Sequence, residues 1–130
     1  VWEMSALKVV YRDMPGQSSP ASVDVRTGTI YVNTLVWPLY TPFEQRAILF
    51  HEKYHYLSGD TTNEIACDEY AFRHMAGTEK NSLTKFTNLI EKLSKKSNDV
   101  RRMAASQKCA LRYAAQHGSR DAQELLKYFN

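Results

Sequence analysis

The residues of this chain best suited to chemistry are His51 and His55, with Glu52 beside the first, in the run His51-Glu52-Lys53-Tyr54-His55. Four helical residues advance about 6 Å and rotate about 40° round the axis, so both imidazoles leave one face of an α-helix and can grip one metal ion. Zinc (Zn2+) suits that pair, because it takes neutral imidazole, keeps a position for water and lowers that water's pKa towards neutrality. Glu52 is turned roughly 100° from His51, outside the ligand row but within reach of such a water, which is the place of a general base. The expected chemistry is hydrolysis. A His-Glu-x-x-His match arises by chance in about one random chain of this length in two hundred, so the surroundings of the motif must carry much of the weight.

Those surroundings predict a capped helix. Thr41-Pro42-Phe43-Glu44 has the spacing of a capping box with proline at the first helical position, and Phe43, Ala47, Phe50, Tyr54 and Leu57 recur at helical spacing. Ser58-Gly59-Asp60 stops it, which puts both histidines in the last two turns on a flank of the apolar stripe. Thr61 and Glu64 are spaced as a second capping box, opening a helix that runs to Met75 ahead of Ala76-Gly77. Glu64, in its first turn, is the expected third ligand. Asp68, four residues further on the same face, is placed to accept a hydrogen bond from the outer ring nitrogen of a ligating histidine and so fix its tautomer. Cys67 and Asp68 remain rival ligands, although a cysteine on an amphipathic helix is more often a small packing residue.

Before the motif, Val23-Asp24-Val25-Arg26 and Thr29-Ile30-Tyr31-Val32-Asn33 flank Thr27-Gly28 and predict a β-hairpin, with Lys8-Val9-Val10-Tyr11-Arg12 as a further strand. After Gly77, residues 81 to 95, 99 to 117 and 119 to 129 read as helices, the last two parted by Gly118. Phe86, Leu89, Ile90 and Leu93 form one apolar face, and Leu125, Leu126 and Phe129 another. The expected class is α+β: a small N-terminal β-sheet, antiparallel or mixed, over the motif helix, with a helical C-terminal part. At 130 residues, 43% hydrophobic and 24% charged, the chain is one domain (1–130) of ordinary globular composition, with no apolar run of membrane-spanning length.

Charge divides it: residues 78 to 130 hold eleven Lys and Arg against five acids, residues 1 to 77 six against nine. Lys92, Lys95, Lys96, Arg101, Arg102, Lys108 and Arg112 form the basic part, where a solvated helical surface outweighs a nucleic-acid patch and docking to a protein partner is the competing functional reading. Cys67 and Cys109 do not make a disulfide framework, which favours an intracellular setting. The start at Val1 leaves secretion after removal of an N-terminal segment as the alternative.

His51-Glu52-Lys53-Tyr54-His55 followed by Glu64-Ile65-Ala66-Cys67-Asp68-Glu69-Tyr70-Ala71 resembles the gluzincin pattern, His-Glu-x-x-His with a downstream Glu-x-x-x-Asp, of thermolysin and its relatives. The short gap from His55 to Glu64 is most similar to the CAAX-prenyl-endopeptidase-like and ImmA/IrrE-like groups. The likeness covers residues 29 to 77, and Lys53 and Tyr54 depart from the usual uncharged and small residues between the histidines. The metzincin pattern does not fit, since Thr61 stands where its third ligand belongs.

The resemblance implies a zincin-like domain that hydrolyses peptide bonds, with zinc on His51, His55 and Glu64 and with Glu52 as base. In zincins the strand preceding the active-site helix lies at a sheet edge and holds the substrate backbone, which would fall to Thr29, Ile30, Tyr31, Val32 and Asn33. A gluzincin also needs a donor for the developing oxyanion; His74 ranks first, ahead of Tyr70, Arg73, Tyr113 and His117, because it shares a helix with Glu64. Two other classes stand beside the endopeptidase. One is a zinc-binding structural or regulatory protein within a larger assembly, without general protease activity. The other is an ImmA/IrrE-style module that cleaves a single protein partner.

Overall fold

The motif helix begins where local capping chemistry puts it. In the computed structural model, which describes residues 7–97 and 100–128 apart from the side chains of 96 and 97, α1 (Pro42–Ser58) opens on Thr41. The Thr41 hydroxyl accepts from the Glu44 N–H at 3.2 Å, and Glu44 Oε1 accepts from the Thr41 N–H at 2.9 Å. Two otherwise orphaned N–H groups are thereby satisfied. The helix stops at Gly59, whose φ of 70° suits glycine and whose N–H returns to the His55 carbonyl at 3.0 Å. Its buried face is wider than the predicted stripe: Ile48, Leu49, His51, Lys53 and His55 are all buried. Leu57 is 55% exposed and drops out of the stripe in the last turn before the stop.

α2 (Glu64–Met75) follows after a short turn and packs against α1. Its cap is Asn63, whose side chain accepts from the Ala66 N–H at 3.1 Å, and not the predicted Thr61. The turn before it is organised instead by Asp60, which accepts from the N–H and hydroxyl of Thr62 at 2.8 and 2.6 Å. Glu64 remains in the first helical turn.

Among the described residues, three strands precede α1: β1 (Lys8–Arg12), β2 (Ala21–Asp24) and β3 (Thr29–Asn33). The hairpin is present, but β2 ends at Asp24, so Val25 and Arg26 belong to the turn. Asp24 explains this: its carbonyl accepts from Thr27 and Gly28, and its carboxylate from the Arg26 N–H at 3.0 Å. The strand order is β1-β3-β2, with β3 parallel to β1 and antiparallel to β2. Thr29, Ile30, Tyr31, Val32 and Asn33 are therefore the central strand, paired on both sides, and the expectation of an edge strand there is overturned. Ile30 and Val32 are fully buried, as suits a strand with neighbours on both sides and helices against one face. β2 is the edge that meets α1.

Asn33 is equally buried and ties down the β1–β2 loop. Its Nδ2 donates to the Met14 and Gln17 carbonyls at 3.2 and 3.0 Å, while its Oδ1 accepts from the N–H groups of Met14 and Leu35 at 3.1 and 3.2 Å. All of its amide capacity is used, as the cost of a buried polar group demands.

α3 (Ser82–Ser97) inserts Phe86, Leu89 and Ile90 into the core shared by β3, α1 and α2. α4 (Val100–Gln116) lies against α2 and α3, and α5 (Arg120–Leu126) folds back on α4 after Gly118. The α5 contact is made by buried Ala122; Leu125 is 49% exposed, so the predicted Leu125–Leu126 face does not dock as a stripe. Lys96's side chain, Asp99 and Phe129 lie outside the described residues. The α+β class stands, and among the described residues no helix is long and apolar enough to cross a membrane.

Candidate metal centre

α1 and α2 bring their polar residues to one point. His55 Nε2 lies 2.7 Å from Glu64 Oε1, and His51 Nε2 lies 3.5 Å from the same oxygen. The other ring nitrogens are held from outside: His51 Nδ1 is 2.8 Å from Asp68 Oδ1, and His55 Nδ1 is 2.9 Å from the Asp60 carbonyl. Acceptors at both Nδ1 atoms fix the protons there and turn both Nε2 atoms inward. Glu52 Oε2 is 3.9 Å from His51 Nε2, close to the donors but not part of their row. The five polar residues expected at the site are thus together. That donor set, two inward imidazole nitrogens and a carboxylate oxygen, is one a zinc ion accepts.

Cys67, one helical turn after Glu64, also faces inward. His51, His55 and Cys67 each offer a ligand atom within 4.8 Å of the others, and all three are buried. Both Cys67 and Cys109 are free thiols.

The electrostatics reflect this crowding. Burial alone would lower the His51 pKa, but its bonds to Asp68 and Glu64 outweigh that and push it up to about 10. The Cys67 thiol, followed by Glu64, raises His55 to about 11 against the effect of burial. Burial acts to raise Glu64, yet the two histidines and Arg102 hold it well below the usual carboxylate range. Glu52 moves the other way, raised by burial despite the histidine charges.

Arg102 is the member that sequence reasoning misplaced. Assigned to the exposed basic surface, it is 5% exposed and reaches from α4 into the site. Its Nε donates to Asp68 Oδ2 at 2.7 Å and its Nη2 to Asp68 Oδ1 at 2.6 Å, with Nη1 3.6 Å from Glu64 Oε2. A signal was present: Arg102 lies in line at helical spacing with Ser106, Cys109, Ala110 and Tyr113, the inward face, opposite Arg101, Lys108 and Arg112. The basic surface is further reduced by ion pairs of Lys92 with Glu44 and of Lys95 with Glu91.

A small cleft of about 60 Å³ opens beside these groups, lined by Ser19, Pro20 and Ala21 at the start of β2, Ile48, His51 and Glu52 of α1, Glu64, Leu93 and Arg102. None of the predicted oxyanion donors lines it. His74 is ten residues beyond Glu64, about 15 Å along the helix axis, and stacks on Phe50 at 4.6 Å with Tyr70 at 4.4 Å. Tyr54 stacks on Tyr70 at 4.8 Å, so the bulky residue inside the motif packs into the same aromatic cluster. Tyr113 stacks with His117 at 4.1 Å, near the far end of α4 from Arg102. His74 is accordingly corrected from a catalytic to a packing residue.

Compared with known proteins, the chain matches no family model, and it matches no curated protein.

Proposed function

We propose that the protein is a zinc-dependent endopeptidase. The observation that carries the reading is the convergence of His51 Nε2 and His55 Nε2 on Glu64 Oε1, with both outer nitrogens already held by Asp68 and the Asp60 carbonyl. Charge supports it: Glu52, Glu64 and Asp68 face Arg102 and the two histidines, whose raised pKa values let protons offset the carboxylates, and a divalent cation would balance the same two charges once ligation displaces those protons. Zinc held by His51, His55 and Glu64 would supply a Lewis acid for the scissile carbonyl and lower the pKa of the attacking water. Glu52 stands beside the donor row, and its burial-raised pKa suits a carboxylate that takes the water's proton and passes it to the leaving amine.

The substrate backbone falls to β2 in place of β3. Pro20 O accepts from Asn33 N at 2.9 Å, and antiparallel alternation then turns the main-chain groups of Ala21 and Val23 towards the open side. Ala21 also lines the cleft. A peptide added to this edge would lie next to Glu52.

Cys67 supports a second reading. A thiolate added to His51, His55 and Glu64 would make four protein ligands, the closed set of a structural zinc site. Metal analysis of wild type and Glu52→Gln, with cleavage of an unstructured protein by both, separates the two. The endopeptidase requires stoichiometric zinc in both and cleavage by wild type alone. Zinc in both and cleavage by neither favours the structural site, and absence of zinc from wild type purified without chelator removes both.

A further inference from the structure

We propose that Arg102 is a positioning residue for this centre, holding Glu64 and Asp68 in register at once, so that α4 is a working part of the metal site. The proposal rests on the zinc reading. Glu64 and Asp68 stand four residues apart on one face of α2, and two carboxylates so placed repel each other. Asp68 is 5% exposed and its Oδ1 already serves His51 Nδ1. A carboxylate that deep needs a counter-charge, and the bidentate guanidinium supplies it at 2.7 and 2.6 Å.

The third nitrogen gives Arg102 its wider role. Glu64 addresses the histidines through Oε1, and Nη1 lies 3.6 Å from its other oxygen, Oε2. One planar group therefore steadies the rear of the metal carboxylate and the acceptor that orients His51. An ammonium is a point charge on a flexible stem and cannot span both carboxylates with fixed geometry. Partners of this kind are worth about 10–100-fold in metal affinity.

The test uses the full chain with Arg102→Lys, Arg102→Met and, as a control on the exposed side of α4, Arg112→Met. Zinc affinity is measured by competition with a chelator, and the visible spectrum of the cobalt-loaded protein reports ligand geometry, both well below each variant's melting temperature. Wild type and Arg112→Met should match. Arg102→Lys and Arg102→Met should lose about 10–100-fold in affinity and show an altered cobalt spectrum, an effect that loss of stability alone would not produce in folded protein. If Arg102→Met fails to fold, Arg102→Lys decides. Wild-type affinity and spectrum in Arg102→Lys overturn the role of Arg102 while the zinc reading stands. A wild type that binds neither metal overturns both.

Discussion

At the scale of single residues, the site separates groups that face inward from groups that hold them. Glu64 and Cys67 both face inward, but Glu64 Oε1 touches both histidine nitrogens while Cys67 touches His55. Glu64→Ala should therefore weaken zinc binding far more than Cys67→Ala or Asp68→Ala, read as dissociation constants from chelator competition. If Cys67→Ala proves the most damaging, the thiol is the third ligand and Glu64 a bystander. The pairing of His51 with His55 on one helix face, and of Glu64 with Asp68 on another, was legible from spacing, because positions four apart on a helix share a face whatever the rest of the fold does. Arg102 was misread because a composition argument treats every arginine on a helix as solvated. The inward face it shares with Ser106 and Cys109 marks it as different, and the buried carboxylate 34 positions away supplies the reason.

At the scale of elements, the edge of the sheet sets what can be bound. Val23 presents its N–H away from β3, so proline there should spare the ladder and remove one outward donor. Val23→Pro is expected to keep zinc content near wild type, with some loss of melting temperature because Val23 packs against the core, while cleavage of an unstructured protein falls severalfold. Unchanged cleavage would move the peptide off β2. The helices and their stops were readable because caps and glycine turns are local, as at Thr41 with Glu44 and at Gly59. Strand order was not. Alternation predicts a strand but says nothing of its neighbours, and β1, a distant segment, took the free side of β3. The α2 cap moved to Asn63 for a similar reason, since Asp60 engages Thr62 and leaves Asn63 to bond Ala66.

At the scale of the whole molecule, protons and metal compete for the same nitrogens. Without metal, His51 and His55 titrate near 10 and 11, against an ordinary 6.5. Raised values mean that protonation favours the folded state: the contribution is complete below about pH 6.5 and is lost as pH rises through 10 to 11. Zinc requires the unprotonated rings, so its affinity should rise over the same range. The chelated protein should melt at progressively lower temperature from pH 7 to 10, and the gap to the zinc-loaded protein should widen. A chelated melting temperature that stays level across this range would show that the histidines are not held protonated by Glu64 and Asp68.

Asn33 has a consequence for how such a molecule can change. It grips main-chain atoms of Met14 and Gln17, and takes no account of their side chains. The grip that holds this loop, and so delivers Ser19, Pro20 and Ala21 to the cleft, is thus indifferent to which side chains stand at 14 and 17. Substitutions at Met14 and Gln17 can alter the approach to the lip while the imidazoles behind it stay undisturbed. A descendant of this chain could acquire a new preference there without rebuilding its centre.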